Sequence, residues 1–188
     1  MELSELLDRC REGDQLAWEA LVRQYQSRVF RVAIHYMRDE EEARDAAQEA
    51  FVRVYRNLHG FRGEERFLPW LLRIGRNVCI DRRRRIKARP EHAGVGLEDT
   101  GELLDSRISP EAASMEDSRR RLVHRALVQL SEPHREVILL KEIQGLSIEE
   151  IASMLGVAEG TVKSRSNRAR IELARAVLEL DPSAASAR

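Results

Sequence analysis

The chain has 188 residues, of which 43% are hydrophobic and 34% charged, and its 32 basic and 32 acidic side chains cancel. This length suits one large domain or two small ones, and the hydrophobic content is sufficient for packed cores. The sequence has no run of 18 apolar residues, no basic and apolar leader and only two cysteines, so we expect a cytoplasmic protein without membrane insertion, signal peptide or disulfide framework.

The first sixty residues have the periodicity of amphipathic helices and no sustained alternation of the kind that strands show. A first helix is predicted over residues 2–11, and a second carries apolar positions from 17 to 34 at helical spacing. Asp39 is suited to cap a third helix together with Glu42, and Gly60 is suited to end it.

A polar loop at residues 61–66 precedes a fourth helix, which leads into a run of arginines at 82–85. Trp70 falls in register with Leu71 and Ile74, so we expect it in the core rather than as a platform on which a base stacks. Consecutive arginines repel one another, which a solvated helix face explains poorly and a nearby polyanion explains well.

The sign of the charge changes twice along the chain. Residues 61–89 hold ten basic and three acidic side chains, residues 98–117 hold one basic and seven acidic, and residues 160–175 hold five basic and one acidic. We interpret the two basic segments as separate anion-binding surfaces. Solvated helix faces with local ion pairs are the alternative interpretation.

The segment at residues 88–114 lacks periodicity and is interrupted by prolines and glycines, which is typical of a linker. A loop of this length inside one compact domain would be unusual. We therefore predict an all-α fold of two small helical domains joined by a flexible linker. The predicted bounds are a first domain at 1–88, an acidic linker at 89–117, a second domain at 118–180 and a frayed tail at 181–188.

The second predicted domain contains a helix-turn-helix pattern. Ser131 is placed to cap a helix that has Pro133 in its first turn. Ser147 and Glu150 then have the spacing of a capping box, and Gly156 supplies the left-handed turn that reverses the chain. A helix that braces, a small-residue turn and a second helix are the elements of a DNA-binding helix-turn-helix.

The second helix of this pattern carries residue types that read bases, because arginine pairs with guanine and asparagine with adenine. A helical hairpin with a solvated basic face is the alternative, but the outer face carries no acid before Glu172, which favours duplex DNA. The residues predicted to face the major groove are Lys163, Ser164, Asn167 and Arg168. Those placed for phosphate contacts are Thr161, Arg165 and Arg170.

Two blocks of the sequence resemble the extracytoplasmic-function sigma factors of bacterial RNA polymerase. The block LSEPHREVILLKEIQGLSIEEIASMLGVAEGTVKSRSNRAR resembles region 4 of that family. The segment DEEEARDAAQEAFVRVYRNL resembles the part of region 2 that grips the polymerase clamp, and FRGEERFLPWLLRIGRNVCIDRRRR resembles the part that opens and reads the −10 element. Both blocks occur in the family's order and spacing and together cover nearly the whole chain.

The resemblance implies a non-enzymatic, two-domain initiation factor that needs no cofactor or metal and directs core polymerase to promoters. It assigns binding of the clamp in the largest polymerase subunit to Asp45, Gln48, Glu49 and Phe51. It assigns a flipped −10 base to the loop residues Arg62, Gly63, Glu64, Glu65 and Arg66, and single-stranded DNA to Asn77, Asp81, Arg82 and Arg83. Reading of the −35 element falls to the helix that carries Lys163, Ser164, Asn167 and Arg168, and an anti-sigma factor is an expected partner.

Other classes of protein are less consistent with the sequence. A one-component helix-turn-helix regulator would need a sensor domain in the first half, where neither a sheet pattern nor a phospho-acceptor aspartate after a strand occurs. An enzyme is disfavoured because the five histidines are dispersed and no catalytic motif or phosphate-binding glycine loop is present. A helical adaptor that binds only proteins would not need the basic outer face of the last long helix.

Overall fold

The computed structural model describes residues 2–63, 66–88 and 115–182. Regular structure within these ranges is helical throughout, which confirms the predicted all-α fold. The chain divides into two compact units, Met1–Glu98 and Asp99–Arg188. None of the helices in the described ranges has the length and apolar character that crossing a bilayer requires.

Within residues 2–63 and 66–88, the elements of the first unit are α-helices and a short 3₁₀ turn. They are α1 (Leu3–Arg11), α2 (Gln15–Met37), α3 (Glu40–Asn57), the 3₁₀ turn Leu58–Gly60 and α4 (Phe67–Lys87). The second unit contains α5 (Met115–Gln129), α6 (Glu132–Ile138), the π-helical turn Leu139–Ile143, α7 (Ile148–Leu155) and α8 (Glu159–Leu180).

Side-chain caps set the start of two helices in the first unit. The Asp14 carboxylate accepts hydrogen bonds from the backbone N–H groups of Leu16 and Ala17 at the start of α2. The Asp39 carboxylate accepts from the N–H of Glu42 at 2.8 Å, which confirms the predicted cap of α3. Each cap satisfies an N–H group that has no partner inside the helix.

Small residues let α2, α3 and α4 pack closely in the first unit. Ala46 and Ala50 on α3 are fully buried. Gly75 on α4 lies so close to its neighbours that a Cβ there would stand 3.4 Å from Val29 Cγ1 and 4.0 Å from Ala50 Cβ. The larger side chains, such as the fully buried Phe67, fill the space around this seam. The face of α4 that Gly75 belongs to is therefore fixed against α2 and α3.

The core of the second unit joins three of its helices. Buried Leu130, Ile138 and Ala169 form a cluster against which Leu127 and Leu173 pack. These positions come from the end of α5, from α6 and from α8. The packing of α8 on the preceding helices leaves its opposite side to solvent.

One arginine closes the junction between α5 and α6. The Arg135 guanidinium donates to the backbone carbonyls of Leu127 at 2.9 Å, Val128 at 2.6 Å and Leu130 at 2.8 Å. These carbonyls lie at the end of α5 and just beyond it, where intrahelical N–H donors run out, and the Leu127 carbonyl also accepts from the N–H of Leu130 at 3.2 Å. Ser131 occupies the N-cap position of α6 as predicted, but no hydrogen bond from its hydroxyl caps that helix.

Several predicted boundaries differ from the observed ones. Helix α3 ends at Asn57, and Gly60 closes a separate 3₁₀ turn rather than the helix itself. The predicted linker included residues 115–117, which form the first turn of α5. The rest of that linker, residues 89–114, lies outside the described residues, as do residues 183–188 of the predicted tail.

Replacing Gly75 by valine tests the close packing of the first unit. The branched side chain has no room beside Val29 and Ala50, so we expect the free energy of unfolding to fall by about 1–3 kcal/mol. Urea denaturation followed by circular dichroism measures the change. Gly60→Val is the matched control, since a Cβ at Gly60 meets nothing within 4 Å. An equal loss in both variants would contradict the packing explanation.

Candidate nucleic-acid interface

The helix-turn-helix of the second unit has the predicted local geometry. The Ser147 hydroxyl accepts from the N–H of Glu150 at 3.1 Å, and the Glu150 carboxylate accepts from the N–H of Ser147 at 2.7 Å, which confirms the capping box. Gly156 ends α7 in the left-handed conformation, with φ 68° and ψ 36°. Val162 and Ala169 of α8 are fully buried, so the inner face of the second helix is fixed by the core.

The outer face of α8 carries the side chains that the sequence assigned to the major groove. All four of them are exposed, namely Lys163, Ser164, Asn167 and Arg168. Two of the residues assigned to phosphates, Thr161 and Arg165, are half-buried at the border of this face. The structure therefore brings the predicted reading residues together on one solvent-facing surface of a single helix.

Two contacts of α8 were not expected from the sequence. Arg170, the third residue assigned to phosphates, donates to the Glu142 carboxylate through Nε at 3.0 Å and Nη2 at 2.6 Å. The Arg170 hydrogen bond holds the pKa of Glu142 below its ordinary value. Ser166 is buried, and the Lys141 ammonium lies 3.4 Å from its hydroxyl. Both contacts join residues more than twenty positions apart, so no local pattern could have indicated them.

The exposed face of α3 in the first unit is partly acidic and partly apolar. Asp45 and Gln48 are exposed, and Val52 and Tyr55 follow them on the same stripe with exposures of 44% and 52%. Helical arithmetic from Asp45 would have found these two residues, because positions three, seven and ten further along share its face. Phe51 does not share that face.

The position of Phe51 corrects its assignment as a surface contact. Its side chain is 7% exposed and packs edge-to-face on Trp18, with ring centroids 6.4 Å apart. Trp18 in turn contacts Tyr55 at 5.1 Å between centroids. Phe51 therefore supports the exposed face of α3 from beneath.

Ion pairs connect α3 to α4 and bring together residues assigned to two different sites. The Arg82 Nε atom lies 3.0 Å from Glu49, and its Nη1 atom lies 3.1 Å from Glu42 and 3.7 Å from Asp45. Arg53 donates to Glu49 at 2.6 Å and to Asp81 at 3.2 Å. Partial burial by itself raises the pKa of Glu49, but hydrogen bonds from Arg82 and Arg53 outweigh it and hold that pKa below its ordinary value.

An open cleft of about 610 Å³ lies between the end of α3 and the first turns of α4. Its lining residues are Arg53, Asn57, Gly60, Phe61, Arg62, Trp70, Ile74 and Asn77. Trp70 is half-buried and stacks on Phe61, with ring centroids 4.4 Å apart and an interplanar angle of 25°. The prediction of Trp70 as a core residue is therefore wrong, because its register places it at the edge of the α4 packing face.

The backbone that leads into the polar loop is held by two arginines. Arg62 donates to the carbonyls of His59 at 2.7 Å and Phe61 at 3.0 Å. Arg11, at the end of α1, donates to the carbonyls of Phe61 at 3.1 Å and Leu58 at 3.5 Å. Of the other residues assigned to this loop, Gly63 and Arg66 flank Glu64 and Glu65, which lie outside the described residues.

Metal binding and thiol reactivity are the other kinds of chemistry to consider for the described residues. Within residues 2–63, 66–88 and 115–182, no three His, Cys, Asp or Glu side chains are grouped so that they could hold a metal ion. Cys10 and Cys79 are buried free thiols. Burial raises the pKa of Cys79 to about 12, so its thiolate is scarce at neutral pH.

A solvent-facing basic recognition helix in one unit and an arginine-bearing helix beside an aromatic cleft in the other define a DNA-binding protein with two modules. Residues 21–89 match the family described as Sigma-70 region 2, and residues 120–173 match Sigma-70 region 4. The chain belongs to the extracytoplasmic-function sigma factors of bacterial RNA polymerase.

Similar proteins extend this relationship over nearly the whole chain. The RNA polymerase sigma-H factor of Pseudomonas aeruginosa is 36% identical over 94% of each chain. The sigma factor SigM of Mycobacterium tuberculosis is 40% identical over 92% of this chain and 83% of its own. A solved structure of CnrH in complex with the cytosolic domain of CnrY has 29% identity and a TM-score of 0.62, covering 94% of this chain and 96% of that one.

A second solved structure has a similar fold. The sigma factor RpoE of Bartonella quintana, in complex with the anti-sigma factor NepR, has 25% identity and a TM-score of 0.68 over 87% of this chain and 97% of that one. The family matches and these relatives identify the chain as an alternative RNA polymerase sigma factor, which is a transcription initiation factor rather than an enzyme.

The lowered pKa of Glu49 predicts how the first unit responds to acid. Its ion pairs stabilise the fold above the unfolded pKa of about 4.3 and are lost as the pH falls through the lower folded pKa. Glu49→Gln should therefore be less stable than the unaltered chain at neutral pH, and the difference should shrink below pH ~4. Urea denaturation across pH measures it. Glu19→Gln, at an exposed position of α2, should show no such convergence; a constant deficit for Glu49→Gln would contradict the prediction.

Removing the Arg11 side chain tests its hold on the polar loop. Arg11→Ala leaves the carbonyls of Leu58 and Phe61 without that donor, so we expect amide hydrogen exchange at residues 59–63 to accelerate several-fold. Exchange followed by mass spectrometry measures the change. Arg23→Ala, an exposed arginine of α2, is the control. Unchanged exchange in the folded Arg11→Ala variant would show that the loop is held by other contacts.

Proposed function

We propose that the two units divide promoter recognition between them. The first domain, residues 1–88, binds the clamp of the largest subunit of core polymerase and acts on the −10 element. The second, residues 118–180, reads the −35 element, and the acidic segment 89–117 joins them as a flexible linker. The match of each unit to a different sigma-70 region supports this division.

The observation that carries the proposal is the surface formed by Lys163, Ser164, Asn167 and Arg168. These four exposed side chains lie on one face of a helix whose opposite face is buried, which is the geometry of a recognition helix in a major groove. Arg168 and Asn167 supply bidentate donors and acceptors for base edges. Thr161, Arg165 and Arg170 border this face and contact phosphates, and Arg170 does so by exchanging its Glu142 partner for a phosphate.

The −10 strand is bound by the polar loop and by α4 in this proposal. The loop residues Arg62, Gly63, Glu64, Glu65 and Arg66 accept a base that leaves the stack. Extruding a base costs a few kcal/mol, which contacts in a pocket and to phosphates must offset. Asn77 lines the aromatic cleft that adjoins this loop, and Arg83 lies further along the same helix, where it holds the exposed strand.

Core polymerase is bound by the exposed stripe of α3. Asp45, Gln48 and Glu49 offer acidic and polar groups to a basic partner surface, and Val52 and Tyr55 add apolar area next to them. An interface that combines a polar part with exposed aromatic and aliphatic side chains is typical of protein partners. Phe51 contributes by supporting this stripe from the core.

The protein acts in the cytoplasm, where its polymerase is, and an anti-sigma factor holds it inactive. The solved relatives support this part of the proposal, because CnrH is in complex with the cytosolic domain of CnrY and RpoE with the anti-sigma factor NepR.

Arg168→Ala tests the division of labour. Loss of one bidentate base contact costs about 1–3 kcal/mol, so we expect promoter-specific transcription to fall roughly 5- to 150-fold. Affinity for core polymerase should stay unchanged. Run-off transcription with core polymerase on a promoter library, and anisotropy titration of core, measure the two quantities.

Two controls make this experiment decisive. Arg125→Ala removes an exposed arginine of α5 in the same unit and should leave transcription unchanged. Gln48→Ala in the full-length chain should weaken core binding, while promoter-specific transcription with core polymerase at saturation should stay unchanged. If the folded Arg168→Ala variant lost core binding as well, the division would be wrong. Specific binding of promoter duplex without core polymerase would favour a one-component regulator instead.

A further inference from the structure

The register of α4 directs Arg82 toward α3 rather than toward solvent. Leu71, Gly75 and Val78 are buried and lie on the face that packs against α2 and α3. Arg82 follows Val78 by four positions and therefore continues the same stripe, since residues three and four apart share one face of a helix. Its side chain is 23% exposed, although it belongs to a run of four arginines.

Arg82 is surrounded by carboxylates of α3. Glu42, Asp45 and Glu49 lie within one stripe of that helix and would repel one another without a cation among them. The Arg82 guanidinium approaches all three, at 3.1, 3.7 and 3.0 Å respectively. A guanidinium enclosed by three carboxylates presents little net positive charge to a phosphate, because the nearer opposite charges dominate its field.

A second arginine holds the same carboxylate from the other side. Arg53 of α3 donates to Glu49 at 2.6 Å and to Asp81 of α4 at 3.2 Å. Glu49 thus accepts from two guanidinium groups, one on each helix, and its orientation is fixed before any partner arrives. Fixing a side chain in advance reduces the ordering cost that binding would otherwise carry.

We infer that Arg82 is a positioning residue of the polymerase-binding surface and that DNA phosphate is not its ligand. This inference rests on the proposed function, in which Asp45 and Glu49 contact core polymerase. The family resemblance assigned Arg82 to the residues that bind single-stranded DNA, and the inference assigns it to the polymerase-binding surface instead. In this arrangement Arg82 sets the orientation of Glu49 and neutralises the repulsion along α3.

The test compares Arg82→Gln with Arg84→Gln, an exposed arginine on the same helix, in the full-length chain. Affinity for core polymerase is measured by fluorescence anisotropy. Binding of a promoter fragment by holoenzyme, with core at saturation, is measured across a range of salt concentrations. We expect Arg82→Gln to weaken core binding about tenfold, which is typical of breaking a coupled ion-pair network. Arg84→Gln should leave core affinity unchanged.

The salt dependence separates the two possible roles of Arg82. Affinity falls as salt rises, and loss of one phosphate contact reduces the magnitude of the slope of log affinity against log salt by about 1. We expect that slope to be the same for Arg82→Gln and the unaltered chain. Arg82→Lys should fall between them in core affinity, because an ammonium keeps the charge but cannot bridge two carboxylates as a planar fork does. In a Glu49→Gln background, Arg82→Gln should add little further loss.

If the salt slope of Arg82→Gln were smaller in magnitude by about 1 and its core affinity unchanged, Arg82 would contact a phosphate and the inference would be overturned. The proposed function would still stand. Additive losses in the Glu49→Gln background would also overturn it. Failure of the proposed function would look different, because the unaltered chain would then not bind core polymerase. If Arg82→Gln does not fold, Arg82→Lys and Glu42→Gln carry the same comparison and can overturn the inference in the same way.

Discussion

The close approach of α2, α3 and α4 is the constraint on which the first unit depends. Ala46 and Ala50 on α3 and Gly75 on α4 supply the small residues at which these helices approach most closely. At this separation Arg82 spans from one helix to the carboxylates of the other. The apolar seam therefore sets the electrostatics of the surface above it, and the two cannot be altered independently.

Local signals in the sequence predicted local structure well. The caps at Asp39 and Ser147 and the left-handed turn at Gly156 depend on residues within a few positions of each other, and the structure contains each of them. The exposed face of α8 was predictable for the same reason, since helical periodicity alone separates its inner and outer residues. Ser131 shows the limit of such signals, because its position is that of a cap but its hydroxyl makes no capping bond.

Contacts between distant parts of the chain were not predictable from one sequence. Arg82 and Glu49 are separated by 33 positions and Arg170 and Glu142 by 28, and a charged residue carries no mark of which opposite charge it will meet. Trp70 was misplaced because a residue at the border of an apolar stripe can face either way, whereas Phe51 was assigned to the polymerase by the family resemblance and not by its periodicity. Tertiary packing decides that question, and periodicity alone cannot.

The two faces of α8 lie in different environments. Val162, Ser166 and Ala169 are buried and anchor the helix, whereas Lys163 and Asn167 face solvent. In the proposed function, in which this outer face reads the −35 element, substitutions on it change which bases are preferred with little effect on folding. A gene duplicate of this factor can acquire a new set of promoters through a few such changes while its stability is preserved, which makes promoter preference an evolvable property of this scaffold.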